Sequence, residues 1–80
     1  MSKDFALELR NILAENIRHY RKKRNISQEQ LADVCGLHRT YVGSVERSER
    51  NVTLSTLATF ASALNISVID LLTKKKTTDD

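Results

Sequence analysis

The sequence contains no proline and no tryptophan, and it has only two glycines and one cysteine among its 80 residues. Because proline and glycine both weaken helices, their scarcity favours an all-helical fold. A single cysteine cannot form an internal disulfide, so we expect a reducing compartment. No apolar run approaches the roughly 18 residues of a membrane helix, and the N-terminus lacks the apolar stretch of a signal peptide. These absences predict a soluble, cytoplasmic protein without a membrane partner.

The residue patterns that enzymes need are missing as well. His19 and His38 have no metal-ligand spacing with Cys35 or with nearby carboxylates. The sequence has no phosphate-binding loop and no nucleophile with an evident base. A short helical chain also offers little room for a closed substrate pocket. We therefore predict a protein that is not an enzyme and that needs no metal, cofactor or small-molecule ligand.

Capping residues and the helical spacing of apolar residues predict one five-helix domain over residues 1–72, followed by a disordered polar tail at 73–80. The first eleven residues of this domain form an N-terminal helical extension, which either continues the first helix or is a separate or frayed turn. The first helix is expected from about Asp4 to Arg24, with Asn25 as a left-handed cap. Its predicted inward face consists of Phe5, Leu9, Ile12, Leu13, Ile17 and Tyr20.

The remaining four helices are bounded by recognisable start and stop residues. Ser27 opens the second helix as the first residue of a capping box. The third helix is expected to begin near His38 or Arg39 and to end by about Arg47, with a polar loop at 48–52. The fourth helix should end near Leu64, and Ser67 should cap a short fifth helix with a second capping box.

Residues 28–47 read QEQLADVCGLHRTYVGSVER and predict two helices joined by a glycine turn. Ala32 is small enough for the helices to cross closely, and Gly36 permits the positive φ that such a turn often needs. Apolar residues at i, i+3 and i+4 spacings face inward. The residues left on the outer face are His38, Arg39, Thr40, Tyr41, Ser44 and Arg47. A helix with so polar a face can enter the major groove of DNA, whereas a hairpin that merely packs would not need it.

The stretch from about Ile17 to Leu72 resembles the helix-turn-helix domain of phage Cro and repressor proteins, the XRE family. Within it, LHRTYVGSVERSERN looks like the small controller proteins of restriction–modification systems. The resemblance implies a lambda-repressor-like fold and a sequence-specific transcriptional regulator that binds double-stranded DNA. The residues that it assigns to the DNA backbone are Gln28, Arg50 and Asn51. It also implies a partly buried ion pair between Arg21 and Glu46.

Each residue on the outer face of the third helix has its own candidate role. Arg39 is the first candidate for reading a base, because its fork of donors matches the O6 and N7 acceptors of guanine. Thr40 can touch a thymine methyl group or a phosphate, and Ser44, one turn further along, is a weaker candidate. Tyr41 either places its hydroxyl on a phosphate or packs half-buried. His38 either caps the helix or contacts a phosphate.

The net charge of +3 is concentrated in the middle of the chain. Residues 12–66 hold eight lysines and arginines against five acidic residues, whereas the charges at both ends cancel. A basic excess beside a groove-reading helix indicates a polyanion partner. The run RKKR at 21–24 is equally well explained by the preference of cations for helix C-termini.

A single recognition helix reads only a few base pairs, so we predict a homodimer on a two-fold pseudo-palindromic site. The fifth helix is the predicted interface, because it carries more large apolar residues than two turns can bury against a small core. These residues are Val68, Ile69, Leu71 and Leu72. The alternative is that all four pack inward.

Two other functions remain open at this stage. One is an antitoxin that binds both DNA and a toxin, although the sequence lacks a long partner-binding tail. The other is a module that uses the helical hairpin to dock a protein and does not bind DNA.

Overall fold

The computed structural model describes residues 4–75, and the regular structure within them is helical throughout. The five helices are α1 (Phe5–Lys23), α2 (Gln28–Cys35), α3 (Arg39–Glu46), α4 (Leu54–Leu64) and α5 (Val68–Leu72). The all-helical prediction is confirmed. Within this range, no helix combines the length and the apolar character that crossing a membrane requires.

Local hydrogen bonds start α2 and α5 at the predicted residues. The hydroxyl of Ser27 accepts from the Gln30 amide at 3.0 Å, and the Gln30 side-chain oxygen accepts from the Ser27 amide at 2.7 Å. Ser67 and Asp70 form the same reciprocal pair at the start of α5. Both predicted capping boxes are therefore present, and each satisfies two backbone donors that a helix start leaves free.

Left-handed residues end or follow four of the helices. Gly36 has φ 69° and Asn25 has φ 61°, as their positions in the sequence predicted, and Asn65 has φ 58°. Ser48, at φ 65°, adopts the same conformation after α3, which the sequence did not indicate. A non-glycine residue other than asparagine or aspartate is uncommon there, so the Ser48 turn is held by its surroundings.

The core lies between the five helices: α1 packs on α3, α4 and α5, and α2 packs on α3 and α4. Its fully buried side chains include Ile17, Leu31, Val42, Phe60, Leu64 and Leu71. Burial along α1 begins only at Leu13. Phe5 and Leu9 are 66% and 47% exposed, so their predicted inward placement is wrong. The other helices cover α1 only from about Leu13 onward, and its first two turns lie outside this covered segment.

Asn16 is a buried polar residue that the sequence analysis missed. It is 2% exposed, and its side-chain nitrogen donates to the carbonyls of Leu71 and Thr73 at 2.8 Å and of Asp70 at 3.2 Å. These carbonyls belong to the end of α5, where helical partners are lacking. The asparagine therefore fastens the C-terminus of α5 onto α1. The sequence feature that could have indicated this burial is the position of Asn16 among the apolar residues Ile12, Leu13 and Ile17.

The structure corrects the prediction for α5 and for the tail. Leu71 is fully buried in the monomer, so it cannot also form a dimer interface. Val68 and Leu72 are half-buried against the core, while Ile69 is 75% exposed.

Residues 73–75 are not a free tail, because the Lys75 ammonium donates to the Tyr20 hydroxyl at 3.0 Å and lies 4.6 Å from the ring centre. The rest of the predicted tail, 76–80, lies outside the described residues.

Replacing Asn16 should test the attachment of α5. Asn16→Ala leaves buried carbonyls without their donor, so we expect unfolding free energy to fall by about 1–3 kcal/mol. For a domain of this size, each kcal/mol lowers Tm by about 4–8 °C. Glu15→Ala, at an exposed position on the same helix, is the control and should change Tm little. Equal Tm values for the two variants in calorimetry would contradict the assigned role of Asn16.

Candidate nucleic-acid interface

The α2–α3 pair is packed through small and apolar side chains. Leu31 and Ala32 of α2 and Val42 and Val45 of α3 are almost completely buried. The turn between the helices is closed by the left-handed Gly36, whose amide donates back to the Asp33 carbonyl at 3.3 Å. This arrangement turns the start of α3 outward and leaves it exposed.

Three exposed residues form the protruding start of α3. His38 is the N-cap, and its Nδ1 accepts from the Thr40 amide at 3.1 Å, so the capping alternative for His38 is confirmed. Arg39 and Thr40 follow on the first turn and are exposed. Within residues 4–75, no hydrogen bond or ion pair engages the Arg39 guanidinium. Its donors therefore point to solvent and are available to a ligand.

Ser44 does not belong to this outer face, and its predicted outward placement is wrong. It is 4% exposed, and its hydroxyl donates to the Tyr41 carbonyl at 2.7 Å and accepts from Arg50 Nε at 3.0 Å. The loop after α3 folds back over it, with the Glu49 amide donating to the Ser44 carbonyl at 3.0 Å. The Arg50 guanidinium lies 5.4 Å from the ring centre of Tyr41, which is half-buried. Ser44 thus supports Arg50 and is not placed to read a base.

The far end of α3 is held by a buried carboxylate. Glu46 is 3% exposed, and Arg21 of α1 donates to its two oxygens from Nε at 2.6 Å and from Nη2 at 3.0 Å. Gln28 Nε2 of α2 donates to the same carboxylate at 3.0 Å. Arg18 of α1 donates to the Glu46 main-chain carbonyl. The expected Arg21–Glu46 ion pair is confirmed. Arg18 is a further hydrogen-bond donor to Glu46, which the sequence did not indicate.

Engagement with Glu46 changes the interpretation of Gln28. Its side chain is half-buried, and its amide nitrogen is already used as a donor to a charged acceptor. Gly43 lies beside it, since a Cβ there would come within 3.5 Å of Gln28 Oε1 and 3.2 Å of Arg47 Nη1. The missing side chain at this position therefore lets Gln28 and Arg47 approach α3 closely.

The loop after α3 brings further candidate residues to the same side. Arg47 pairs with Glu49 through contacts of 3.1 and 3.2 Å, and both side chains are more than half exposed. Arg50 and Asn51 are exposed as well, and Asn51 Oδ1 accepts from Arg10 Nη1 at 2.8 Å. Arg10 lies near the start of α1, and nothing in its local sequence pattern indicated this contact.

Cys35 has the properties of a small packing residue. It is half-buried against the core behind the α2–α3 turn, and burial raises the pKa of its thiol. A raised pKa keeps the thiol neutral near neutral pH, which suppresses nucleophilic reactivity. Elsewhere in residues 4–75, no group of three His, Cys, Asp or Glu side chains is arranged to hold a metal ion.

The sequence and the fold are both similar to those of known helix-turn-helix proteins. The family described as Helix-turn-helix matches residues 17–71. The control protein C.SmaI of Serratia marcescens is 64% identical over 69 residues, which cover 86% of this chain and 82% of that protein. The control protein C.BamHI of Bacillus amyloliquefaciens is 42% identical over 65 residues, 80% of each chain. The crystal structure of the restriction-modification controller protein C.AhdI from Aeromonas hydrophila matches with a TM-score of 0.75 and 40% identity, covering 78% of this chain and 94% of that chain.

The buried carboxylate at the end of α3 provides a stability test. Glu46→Ala leaves the partly buried Arg21 without its counter-charge, and the loss of one partner from such a pair costs about 3–5 kcal/mol. Glu49→Ala removes the same charge from an exposed pair and should cost about 1 kcal/mol or less. Urea unfolding measures both. Similar midpoints for the two variants would show that the Glu46 pair does not hold α3 in place.

Proposed function

Since this chain belongs to the helix-turn-helix family and is a DNA-binding regulator of transcription, we propose that it acts as a homodimer on a pseudo-palindromic operator. The observation that carries this proposal is the exposed start of α3, where the Arg39 guanidinium has no partner within residues 4–75. A DNA partner also supports the cytoplasmic location expected from the sequence.

Arg39 is the residue that we assign to base reading. A guanidinium presents paired donors in a fixed plane, which match the O6 and N7 acceptors of guanine in the major groove. His38 caps the helix directly before it, so the first turn of α3 is ordered before DNA arrives. Thr40, on the same exposed turn, is placed to contact a neighbouring thymine methyl group or a phosphate.

The phosphate contacts come from both ends of the helix pair. Arg47 can leave its exposed partner Glu49 at little cost, because exposed ion pairs contribute about 1 kcal/mol or less. Arg50 is anchored through Nε on Ser44, which leaves its outer nitrogens for a phosphate. Since the Gln28 side-chain nitrogen is engaged, we assign its phosphate contact to the backbone N–H groups at the start of α2.

Dimerisation follows from the small footprint of one recognition helix. Two copies on successive major grooves place their recognition helices about 34 Å apart and double every contact. Ile69 is 75% exposed on α5 beside the half-buried Val68 and Leu72, so this side of α5 supports the interface. Leu71 is excluded from our proposed interface because the monomer core already buries it.

We further propose that the regulated genes are those of a restriction–modification system. The support is the likeness to C.AhdI, which is described as a restriction-modification controller protein, together with the 64% identity to the control protein C.SmaI. A gene for a restriction endonuclease directly beside the gene for this protein would test the assignment.

Arg39→Ala and Lys23→Ala should affect binding differently. Loss of Arg39 should weaken the cognate site by about 1–3 kcal/mol and relax discrimination at one base pair in each half-site. Lys23 is exposed at the end of α1, and Lys23→Ala should either weaken binding to cognate and random duplexes equally or leave both affinities unchanged. Fluorescence anisotropy with both duplexes measures this. If Arg39→Ala weakens both duplexes equally, Arg39 contacts a phosphate and reads no base.

Ile69→Asp should separate dimerisation from folding. A carboxylate buried at an interface is strongly unfavourable, so the variant should sediment as a monomer and lose operator affinity. Because Ile69 is exposed in the monomer, the Ile69→Asp variant should keep the helical circular dichroism of the unmodified protein. Val34→Asp introduces the same charge at a residue of α2 that is 68% exposed, and it should remain dimeric. An Ile69→Asp variant that stays dimeric in analytical ultracentrifugation would exclude this side of α5 as the interface.

A further inference from the structure

Two consecutive residues of α1 hold the loop that follows α3. Arg10 Nη1 donates to Asn51 Oδ1 at 2.8 Å, and Asn11 Oδ1 accepts from the Ser48 hydroxyl. Both α1 residues precede the family match, which begins at residue 17. We propose that Arg10, supported by Asn11, is a positioning residue that orients Asn51 toward a DNA phosphate. This inference rests on the proposed DNA contact of the loop.

The chemistry of the Arg10 contact fixes the orientation of the Asn51 amide. A guanidinium carries donors and no acceptor, so the atom of Asn51 that faces it must be the oxygen. The amide nitrogen is then directed away from Arg10, and it donates to no atom within residues 4–75. Asn51 is exposed, so this nitrogen presents two N–H donors to solvent. A phosphate oxygen is an acceptor of the kind that such donors contact in DNA complexes.

The Asn11 contact fixes the other end of the same loop. Ser48 adopts the left-handed conformation at φ 65°, which is uncommon for serine. Its hydroxyl is held by Asn11, and its amide donates to the Val45 carbonyl at 3.0 Å. The backbone from 48 to 51 is therefore ordered before DNA binds. Ordering the loop in the free protein removes an entropy cost that binding would otherwise include.

The burial of Arg10 indicates that stability alone does not explain this residue. Its Nε is buried and has no hydrogen-bond partner, although the same guanidinium donates from Nη1. A buried donor without a partner destabilises the folded state, because it loses its hydrogen bonds to water and gains none in return. Leu9, Leu13 and Leu72 line the groove beside it, so methionine could fill the space without that cost. A purely structural role would therefore predict that methionine is as good as arginine or better.

A double-mutant cycle tests the proposal in the full-length chain. Arg10→Met should keep or raise Tm, yet weaken binding to cognate and random duplexes alike by about tenfold or more per half-site, the value of one hydrogen bond to a charged phosphate. Asn51→Ala should cause the same loss, and Arg10→Met/Asn51→Ala should be no weaker than Asn51→Ala alone. Lys74→Met removes the same charge from the exposed segment after α5 and controls for net charge.

Two further measurements separate positioning from direct phosphate contact. Because Asn51 is neutral, Arg10→Met should leave the slope of log K against log salt unchanged. If Arg10 itself contacted a phosphate, Arg10→Met would lose that contact. The magnitude of the slope would then fall by about 0.9 for each copy of the chain. In the free protein, the side-chain NH₂ signals of Asn51 in ¹⁵N spectra should move and exchange faster in Arg10→Met.

The outcomes distinguish this inference from the proposed function. If the unmodified protein binds duplex DNA with no salt dependence, the proposed DNA interface itself fails. If it binds as proposed but Arg10→Met binds equally well, the positioning role of Arg10 is overturned. Additive losses in the double variant, a reduced salt slope or unchanged Asn51 signals would each overturn it as well.

Discussion

Glu46 ends α3 with its carboxylate buried between α1 and α2. Burying a carboxylate costs several kcal/mol unless charge and hydrogen bonds compensate for the lost water. Arg21 supplies the opposite charge through two contacts, and Gln28 adds a third donor from α2. Because Arg21 lies on α1 and Gln28 on α2, the carboxylate is satisfied in only one relative arrangement of α1, α2 and α3.

Everything assigned to DNA recognition depends on that arrangement. With the end of α3 held at Glu46 and its start capped by His38, the helix presents Arg39 from a rigid support. The following loop is anchored as well, by Ser44 beneath Arg50 and by Arg10 on Asn51. The groups that we propose for base reading and phosphate binding therefore have fixed positions relative to each other. Such prior ordering reduces the entropy that binding costs.

The sequence predicted the parts of this fold that local chemistry determines. Both capping boxes and the left-handed Gly36 depend on residues within a few positions of each other, so spacing alone identifies them. The Arg21–Glu46 pair was expected from the family resemblance. By contrast, Ser44 and Leu71 were misplaced because helical periodicity does not indicate which neighbouring segment covers a face.

Contacts between distant segments could not be predicted. Asn16 reaches the end of α5 across more than 50 residues, and Arg10 reaches Asn51 across 41. Neither contact belongs to a recognised motif, and each depends on where the helices pack. The exposed Phe5 and Leu9 have the same explanation, since the pattern of α1 continues beyond the part of the helix that is covered. Sequence periodicity thus gave the helices, whereas burial at particular residues required the packed structure.

The most direct test of this account is selection of bound sequences from a pool of random duplex DNA. Two copies of α3, each presenting Arg39, should enrich a pseudo-palindrome whose half-sites each contain a guanine and lie about 10–10.5 base pairs apart. Repeating the selection with Arg39→Ala should remove the preference for that guanine and leave the spacing unchanged. Enrichment of a single unpaired half-site, or of no sequence at all, would contradict the account.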